Sequence, residues 1–446
     1  MNDKFSVAII GGGLAGCELA LQLAQRDVNV ALLEMRPVRP TPAHKTGGLA
    51  ELVCSNSMKS ISPQNAHGLL KAELHGLGCL LLQLAKGASV PAGEALAVDP
   101  KDFSKLVEEK IASSPNIKLV REEVLDPETL HSAFDRVVIA SGPLTSEGLM
   151  KNLSNLLGEG LYFYDAIAPV IQKDSIDFDI AYLASRYGKG EAAYINCPLN
   201  QEEYYVLMQE LVNSDKVDFK DYEQAKHFEG CLPIEVMAAR GRETLSFGPM
   251  KPVGLEQEGK VKPYAVVQLR QENTEATLFN LVGCQTRMKY SEQKRVFKLI
   301  PGLENAEFSR LGSMHRNSYI NAPLHLNKRS ALKIRPYIYV TGQIAGVEGY
   351  VESIASGLWV ALQVMADLKG LEPIEVNRKT MLGGLMAHMS QGNSDNFQPM
   401  NSNFGLLEGL GLPKKIKKKE KKELQSQRAI EQNQLFAQEL KAKGLL

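Results

Sequence analysis

The chain opens on a short, β-branched apolar run, Val7 to Ile10, which reads as a buried strand. Past Gly11-Gly12-Gly13-Leu14-Ala15-Gly16 the period changes. Ala15, Leu19 and Leu23 recur four apart, the spacing of one helix face, and a second strand, Val28 to Leu33, ends at Glu34. Farther on, the pattern predicts a helix over 64–86, a helix over 102–114 and strands over 116–125 and 134–142, the last closing on Ser141-Gly142-Pro143. From about 180 to 325 the texture shifts to alternating strand-like runs (YAVVQLRQ, ATLFNLVGC) mixed with a helix near 201–213. A further apolar strand, Tyr337 to Thr341, then runs into Gly342-Gln343, a glycine-spaced segment and a helix, SIASGLWVALQVMADL.

The first strand–glycine–helix–strand unit has the order of a dinucleotide-binding βαβ fold. Gly11 allows the tight turn, Gly13 lets the backbone approach a pyrophosphate, and Gly16 lets helix and strand pack closely. The N-terminal N–H groups of the helix hold the diphosphate, and Glu34 is placed to accept from a ribose 2′-hydroxyl. A glycine-rich turn at the edge of an ordinary sheet is the alternative. The late strand–glycine–helix unit indicates that this nucleotide-binding half is interrupted and resumes near the C-terminus, as in split FAD-binding domains. The expected organisation is α/β: a Rossmann-like FAD-binding domain in 1–180 and 326–410, split by an α+β insertion at 181–325. Residues 411–446 read as a solvated basic helix.

Composition narrows the class. At 446 residues, 44% of them hydrophobic, the chain is long enough for two or three domains and a substantial core. The motif strand begins within the first ten residues, which argues against a leader peptide, and no uninterrupted apolar run approaches the roughly 20 residues that span a bilayer. Six scattered cysteines without a CxxC pair indicate no zinc site, no metal and no disulfide framework, so a cytoplasmic protein with free thiols is expected. The 51 basic and 51 acidic residues cancel, yet the tail concentrates lysine from Lys414 to Lys422. That concentration favours RNA in a salt-dependent, sequence-blind manner.

Two cysteines stand in unusual settings. Cys54 lies in a polar loop, Glu51-Leu52-Val53-Cys54-Ser55-Asn56-Ser57, within a Pro-, Thr-, Gly- and Ser-rich stretch (37–63) that reads as an active-site loop. Cys231 lies between Gly230 and Leu232-Pro233, a turn that exposes a thiol. Glu229 and Glu235 would raise its pKa, so its activation has to come from a helix N-terminus, a cation or the substrate. Cys17 and Cys79 fall on apolar helix faces and Cys197 and Cys284 on strand-like runs, the settings of inert, packed thiols.

The motifs TPAHKT, AELVCSNS, SVPAGEALAVD, FEGCLPIEVMAARG, FGPMKPVGL, MHRNSYIN, GQIAGVEGYVESIASGL and NFQPMNSNFGLL occur in this order over nearly the whole chain, excepting mainly the basic tail. Together they resemble the folate- and FAD-dependent tRNA (uracil-5-)-methyltransferases of bacteria, with Ser141 standing where that family commonly has threonine. The resemblance implies a glutathione-reductase-like FAD fold. It implies transfer of one carbon from methylenetetrahydrofolate, by way of reduced FAD, to position 5 of a uracil in the tRNA T-loop, with NADH or NADPH as reductant. It assigns Cys231 as nucleophile and Cys54 as a flavin-side assistant, although the two roles could be reversed. The cofactor residues implied are Gly11, Gly12, Gly13, Leu14, Ala15, Gly16, Glu34, Met35, Arg36, Gly142, Gly342, Gln343, Gly346, Gly349, Tyr350 and Val351. Tyr350, by the same resemblance, stacks on the folate pterin; a packed core tyrosine is the alternative. Glu352 is either a pterin contact or a solvated helix residue, and Arg270, Arg287 and Lys289 are candidate RNA-phosphate contacts, with plain surface charge as the alternative for each. The expected partners are tRNA and folate, with no membrane, and the expected state is a monomer. A ribosomal RNA uridine as target, a flavin-bound RNA-binding factor with dormant chemistry, and a generic NAD(P)H–flavin oxidoreductase are the competing readings.

Overall fold

The computed structural model describes residues 6–158, 161–166, 168–188, 190–217, 232–411 and 417–446; Cys231 lies outside these residues. In chain order the strands of its two large sheets are β1 (Ser6–Ile10), β2 (Asn29–Leu33), β3 (Ile117–Val120), β4 (Arg136–Ile139), β5 (Val170–Gln172), β6 (Tyr182–Ala184), β7 (Tyr194–Leu199), β8 (Ala265–Gln271), β9 (Leu278–Leu281), β10 (Phe308–Arg310), β11 (Ala331–Leu332) and β12 (Arg335–Val340). The first sheet has the order β11-β12-β4-β1-β2-β3, parallel throughout except for the edge strand β11. Its β3-β2-β1-β4-β12 core follows the nucleotide-binding order, in which ligands lie beyond the carboxyl ends of the strands. The second sheet, β6-β7-β8-β9-β5-β10, is antiparallel. Strand β5 belongs to this second sheet although it precedes position 180.

The helices that matter for the site are α1 (Leu14–Ala24), α2 (Ala66–Gly76), α3 (Leu80–Gly87), α4 (Pro100–Ala112), α5 (Tyr350–Leu368), α6 (Met381–Gln391) and α7 (Lys418–Ala442). Every residue of α1 is buried, and α1 lies directly against α5. Their approach is close enough that a β-carbon on Gly357 would come within 2.4 Å of the Ala15 carbonyl oxygen. Helix α5 has the length and apolarity to cross a bilayer, but 89% of it is buried inside the protein, the mark of a central core helix.

Three expectations are corrected here. The single helix expected over 64–86 is two, α2 and α3, broken at Gly78, whose φ of +73° lies in the left-handed region. Glu18 of α1 caps the second of them by accepting from the Leu80 and Leu81 amides. The C-terminal helix is not a solvated rod: Gln425, Ser426, Ala429, Asn433, Ala437 and Leu440 are buried, with the period of one helix face, and the helix packs on α2. Arg270 is buried rather than on the surface, and its Nε donates to Asn56 Oδ1 at 3.0 Å.

Candidate functional site

The turn from β1 into α1 is held open for an anion. The Gly11 amide donates to Leu33 O, which draws β1 and β2 together, and the Gly12 amide donates to Glu34 Oε2 at 2.8 Å. No side chain caps α1 and no acidic residue stands in its first turn, so the dipole end of the helix is left for a ligand. Gly13, the N-cap residue, has nothing within 4 Å of where a β-carbon would project, whereas one on Gly16 would lie 1.9 Å from the Gly11 carbonyl oxygen. A β-carbon on one glycine would project clear of protein atoms, whereas the other glycine closes a packing contact. A dinucleotide diphosphate fits this arrangement.

That turn forms one wall of a cleft of about 990 Å³ beyond the carboxyl ends of β1, β2, β4 and β12. Of the residues singled out in the sequence, Gly11, Gly13, Leu14, Ala15, Glu34, Met35, Arg36, Gly142, Gly342, Gln343 and Tyr350 line it. Gly12, Gly16, Gly346, Gly349 and Val351 are not among its lining residues. Gly346 has φ +92° and leaves room for the Phe397 ring, which a β-carbon would approach to 2.3 Å. The cleft also takes in Thr41, His44 and Glu51 of the 37–63 loop, as expected of an active-site loop, and the run Glu122-Glu123-Val124 just past β3, which was not among the expected site residues. The signal of that run was positional: it follows the C-terminal end of a strand in a parallel sheet.

The charged groups at the Glu34 end are paired. Arg36 Nε donates to Glu34 Oε1 at 2.9 Å and Arg36 Nη1 donates to Glu51 Oε2 at 3.0 Å. Burial opposes ionisation of Glu34, but Arg36 and the Gly12 amide outweigh it and hold the carboxyl below the usual range. A charged acceptor therefore stands where a ribose hydroxyl would be read.

The loop carrying Cys54 is pinned from both sides. The amides of Cys54 and Ser55 donate to the Tyr350 hydroxyl at 2.8 and 3.0 Å, which fixes the loop to the first residue of α5. Two residues on, Asn56 donates to the carbonyl oxygens of Gln271 and Glu272 while accepting from Arg270, which fixes it to β8 of the second sheet. Cys54 is half-buried. Cys17, Cys79, Cys197 and Cys284 are buried and their thiols are pushed up by burial, Cys284 to about 12, so none of these four is a competent thiolate.

Behind Tyr350, in the first turn of α5, Glu352 is 1% exposed. It accepts from the Ser402 amide at 3.0 Å and hydroxyl at 2.6 Å, and His67 Nδ1 lies 3.0 Å from it. Glu352 is thus neither solvated nor exposed on its helix. Burial works against its ionised form, but His67, Lys59 and Ser402 overcome this and hold the carboxyl at about 2. A carboxyl with a lowered folded-state pKa stabilises the fold above its ordinary pKa, near 4.5, and loses that contribution as pH falls toward 2. Glu352→Gln is therefore expected to cost on the order of 3 kcal/mol at pH 7. Thermal midpoints of parent and variant should differ widely at pH 7 and converge as the pH is taken from 4.5 toward 2.

A second cleft of about 1510 Å³ adjoins the first through Glu51 and Val53. It opens between the Cys54 side of the first sheet and the second sheet, and Lys45, Arg287, Lys294 and Arg310 line it. Arg287, one of the RNA candidates, is here; Lys289 is instead exposed and paired with Asp215 at 3.2 Å.

Residues 6–372 match the family model of glucose inhibited division protein A. The chain is 53% identical to the methylenetetrahydrofolate--tRNA-(uracil-5-)-methyltransferase TrmFO of Natranaerobius thermophilus, over 95% of this chain and 97% of that one. It is 52% identical to the protein of the same name from Enterococcus faecalis, again over 95% and 97%. Among solved structures, GidA of Aquifex aeolicus superposes with a TM-score of 0.71 at 16% identity, covering 100% of this chain and 76% of that one, a likeness of fold. The chain belongs to the glucose inhibited division protein A family and, within it, to the methylenetetrahydrofolate--tRNA-(uracil-5-)-methyltransferases.

Proposed function

We propose that this protein methylates position 5 of a uridine in the T-loop of tRNA, taking the carbon from methylenetetrahydrofolate. The carbon arrives as a methylene, so one hydride equivalent is needed to finish a methyl group. FAD in the first cleft supplies that reduction when bound, and NADH or NADPH restores it. The observation that carries the reading is the Tyr350 tie, which holds a cysteine loop at the mouth of a dinucleotide cleft. It does so in a chain about half identical, over nearly its full length, to proteins that bear this name.

Each part of the chain has a task in this scheme. The α1 N-terminus and Gly13 hold the diphosphate, and Glu34 holds a ribose. Gly142, Gly342 and Gln343 give the ring end of the cofactor a wall of backbone and one amide side chain. The thiolate of Cys231 adds to C6 of the uracil, and C5 gains enolate character sufficient to attack an electrophilic carbon. The C5 proton then leaves as the carbon's bond to its carrier nitrogen breaks, the hydride equivalent completes the methyl group, and the thiolate is expelled from C6, so the thiol is regenerated. Cys54 assists from the cofactor side. The second cleft, with Lys45, Arg287, Lys294 and Arg310, receives the RNA.

The test is direct. Purified, flavin-loaded protein, incubated with unmodified tRNA, labelled methylenetetrahydrofolate and NADH, should place label in 5-methyluridine at the T-loop. Label at another position, or none, removes the proposal.

Tyr350→Phe separates the hydroxyl from the ring. The variant keeps an aromatic face for the pterin but leaves the Cys54 and Ser55 amides without their acceptor. Each lost hydrogen bond is worth about 0.5–1.5 kcal/mol. The expected result is a kcat about tenfold lower, with flavin content and the KM for folate unchanged. A changed KM with an intact kcat would show that the hydroxyl serves binding instead.

A further inference from the structure

Helix α7 changes character along its length. From Gln425 to its C-terminus one face is buried against α2, whereas Lys417, Lys419 and Lys421 are exposed, Lys422 is half-buried and no apolar residue lies between Lys417 and Glu423. The first turns of the helix therefore contribute no apolar side chain to the core. They are also electrostatically adverse: lysines crowd the end of a helix whose own dipole is positive there, no side chain caps it, and Glu420 alone opposes them in the first turn. The whole protein carries no net charge, so this is a local concentration of positive potential and not a reflection of a basic chain.

The direction of the helix decides where that potential falls. Ser426 donates to Pro63 O, before the start of α2, and Asn433 donates to Glu73 O near its end, so α7 and α2 run parallel. The far end of α7 is tied to the back of the nucleotide fold, where Arg26 donates to Leu445 O and Lys369 to Gly444 O. The lysine end thus stands at the N-terminal end of α2, where His67 meets Glu352 in the first turn of α5. Contacts join it to the site: Lys422 Nζ is 5.3 Å from the Phe404 ring centre, Ser402 just before it bonds Glu352, and Tyr350 two residues from Glu352 holds the Cys54 loop.

We infer that Lys417, Lys419, Lys421 and Lys422 form a docking strip for the phosphate backbone of the substrate RNA, on the stem flanking the loop that is modified. The inference rests on the proposed tRNA activity and adds to it a second point of attachment at the rim of the active site. A polyanion relieves the repulsion that the lysines impose on one another, and its phosphates need no particular sequence.

The test compares the parent with a variant carrying Lys417→Gln, Lys419→Gln, Lys421→Gln and Lys422→Gln. A control carries Lys101→Gln, Lys105→Gln and Lys110→Gln on the exposed face of α4. Binding of full-length unmodified tRNA is followed by fluorescence anisotropy across a salt series, and methylation is measured in parallel. The strip variant should bind about tenfold more weakly near physiological salt, and its log–log salt slope should fall by roughly three. Its KM for tRNA should rise while kcat and flavin content stay at parental values, and the control should change little. Equal binding and slope in parent and strip variant would overturn the inference, as would an equal loss in the control. Weaker binding to heparin with unchanged binding to tRNA would overturn it in favour of a different polyanion. If the parent fails to methylate tRNA, the proposed activity falls, while the anisotropy comparison still decides the strip.

Discussion

Cys231→Ala is expected to bind flavin and tRNA and to methylate nothing measurable. C5 of uracil is a weak nucleophile, and the one device in the scheme that changes this is sulfur addition at C6. Removing such a nucleophile leaves only positioning and binding, and the rate should fall below about a thousandth of the parent's. The four buried thiols do not substitute for it, because burial keeps them protonated. The readout that separates a nucleophile from a merely structural cysteine is the adduct. In tRNA with 5-fluorouridine at the target, the fluorine stands where a proton has to leave, so the sulfur is not expelled and the thioether accumulates. The parent should give a denaturation-stable protein–RNA band and Cys231→Ala should give none. Cys54→Ala should still form the band, at a reduced rate. If the pattern is reversed, with Cys54→Ala losing the band and Cys231→Ala keeping it, the two thiols exchange roles.

What the sequence disclosed follows from how local its causes were. The β1–α1–β2 unit is legible because strand, glycine turn, helix and acidic tip lie within 28 consecutive positions, 7–34, and each obeys a short-range rule. The helix Gln201–Asn213 is legible for the same reason, since Asn200 and Glu203 form a reciprocal cap three residues apart. The failures are long-range. Nothing near Gly78 announces that Glu18, some 60 residues earlier, caps the next helix. Arg270 looks like an exposed charge in an alternating strand until Asn56, 214 residues away, is brought to it. The buried face of α7 is not legible as an apolar stripe because it is partly polar: Ser426 and Asn433 are buried and donate to Pro63 O and Glu73 O, and Gln425 is buried beside them. At the site, the glycines were found and Glu122-Glu123-Val124 were missed, because the strand expected over 116–125 pairs only from Ile117 to Val120. The remainder leaves the sheet to line the cleft.

The second large effect is a contrast between two glycines three residues apart. Gly16→Ala places a methyl 1.9 Å from the Gly11 carbonyl oxygen, and Gly11 is itself held at φ +112° under the Ala140 carbonyl. Backbone lies on both sides, so the overlap is relieved only by separating α1 from β1, where every residue of the helix is buried. A loss exceeding about 4 kcal/mol, enough to keep folded protein from accumulating, is the expected result. Gly13→Val has the opposite character. Gly13 has φ −78° and an extended ψ, which valine adopts without strain, and its β-carbon meets no protein atom within 4 Å. The added branches project into the space where a diphosphate approaches the backbone. This variant should fold with a thermal midpoint, measured after flavin removal, close to that of the equally stripped parent. Its flavin-to-protein ratio should be at least tenfold lower. A yellow, flavin-loaded Gly13→Val protein would mean that the diphosphate lies elsewhere in the cleft, and the assignment of the α1 N-terminus would fall with it.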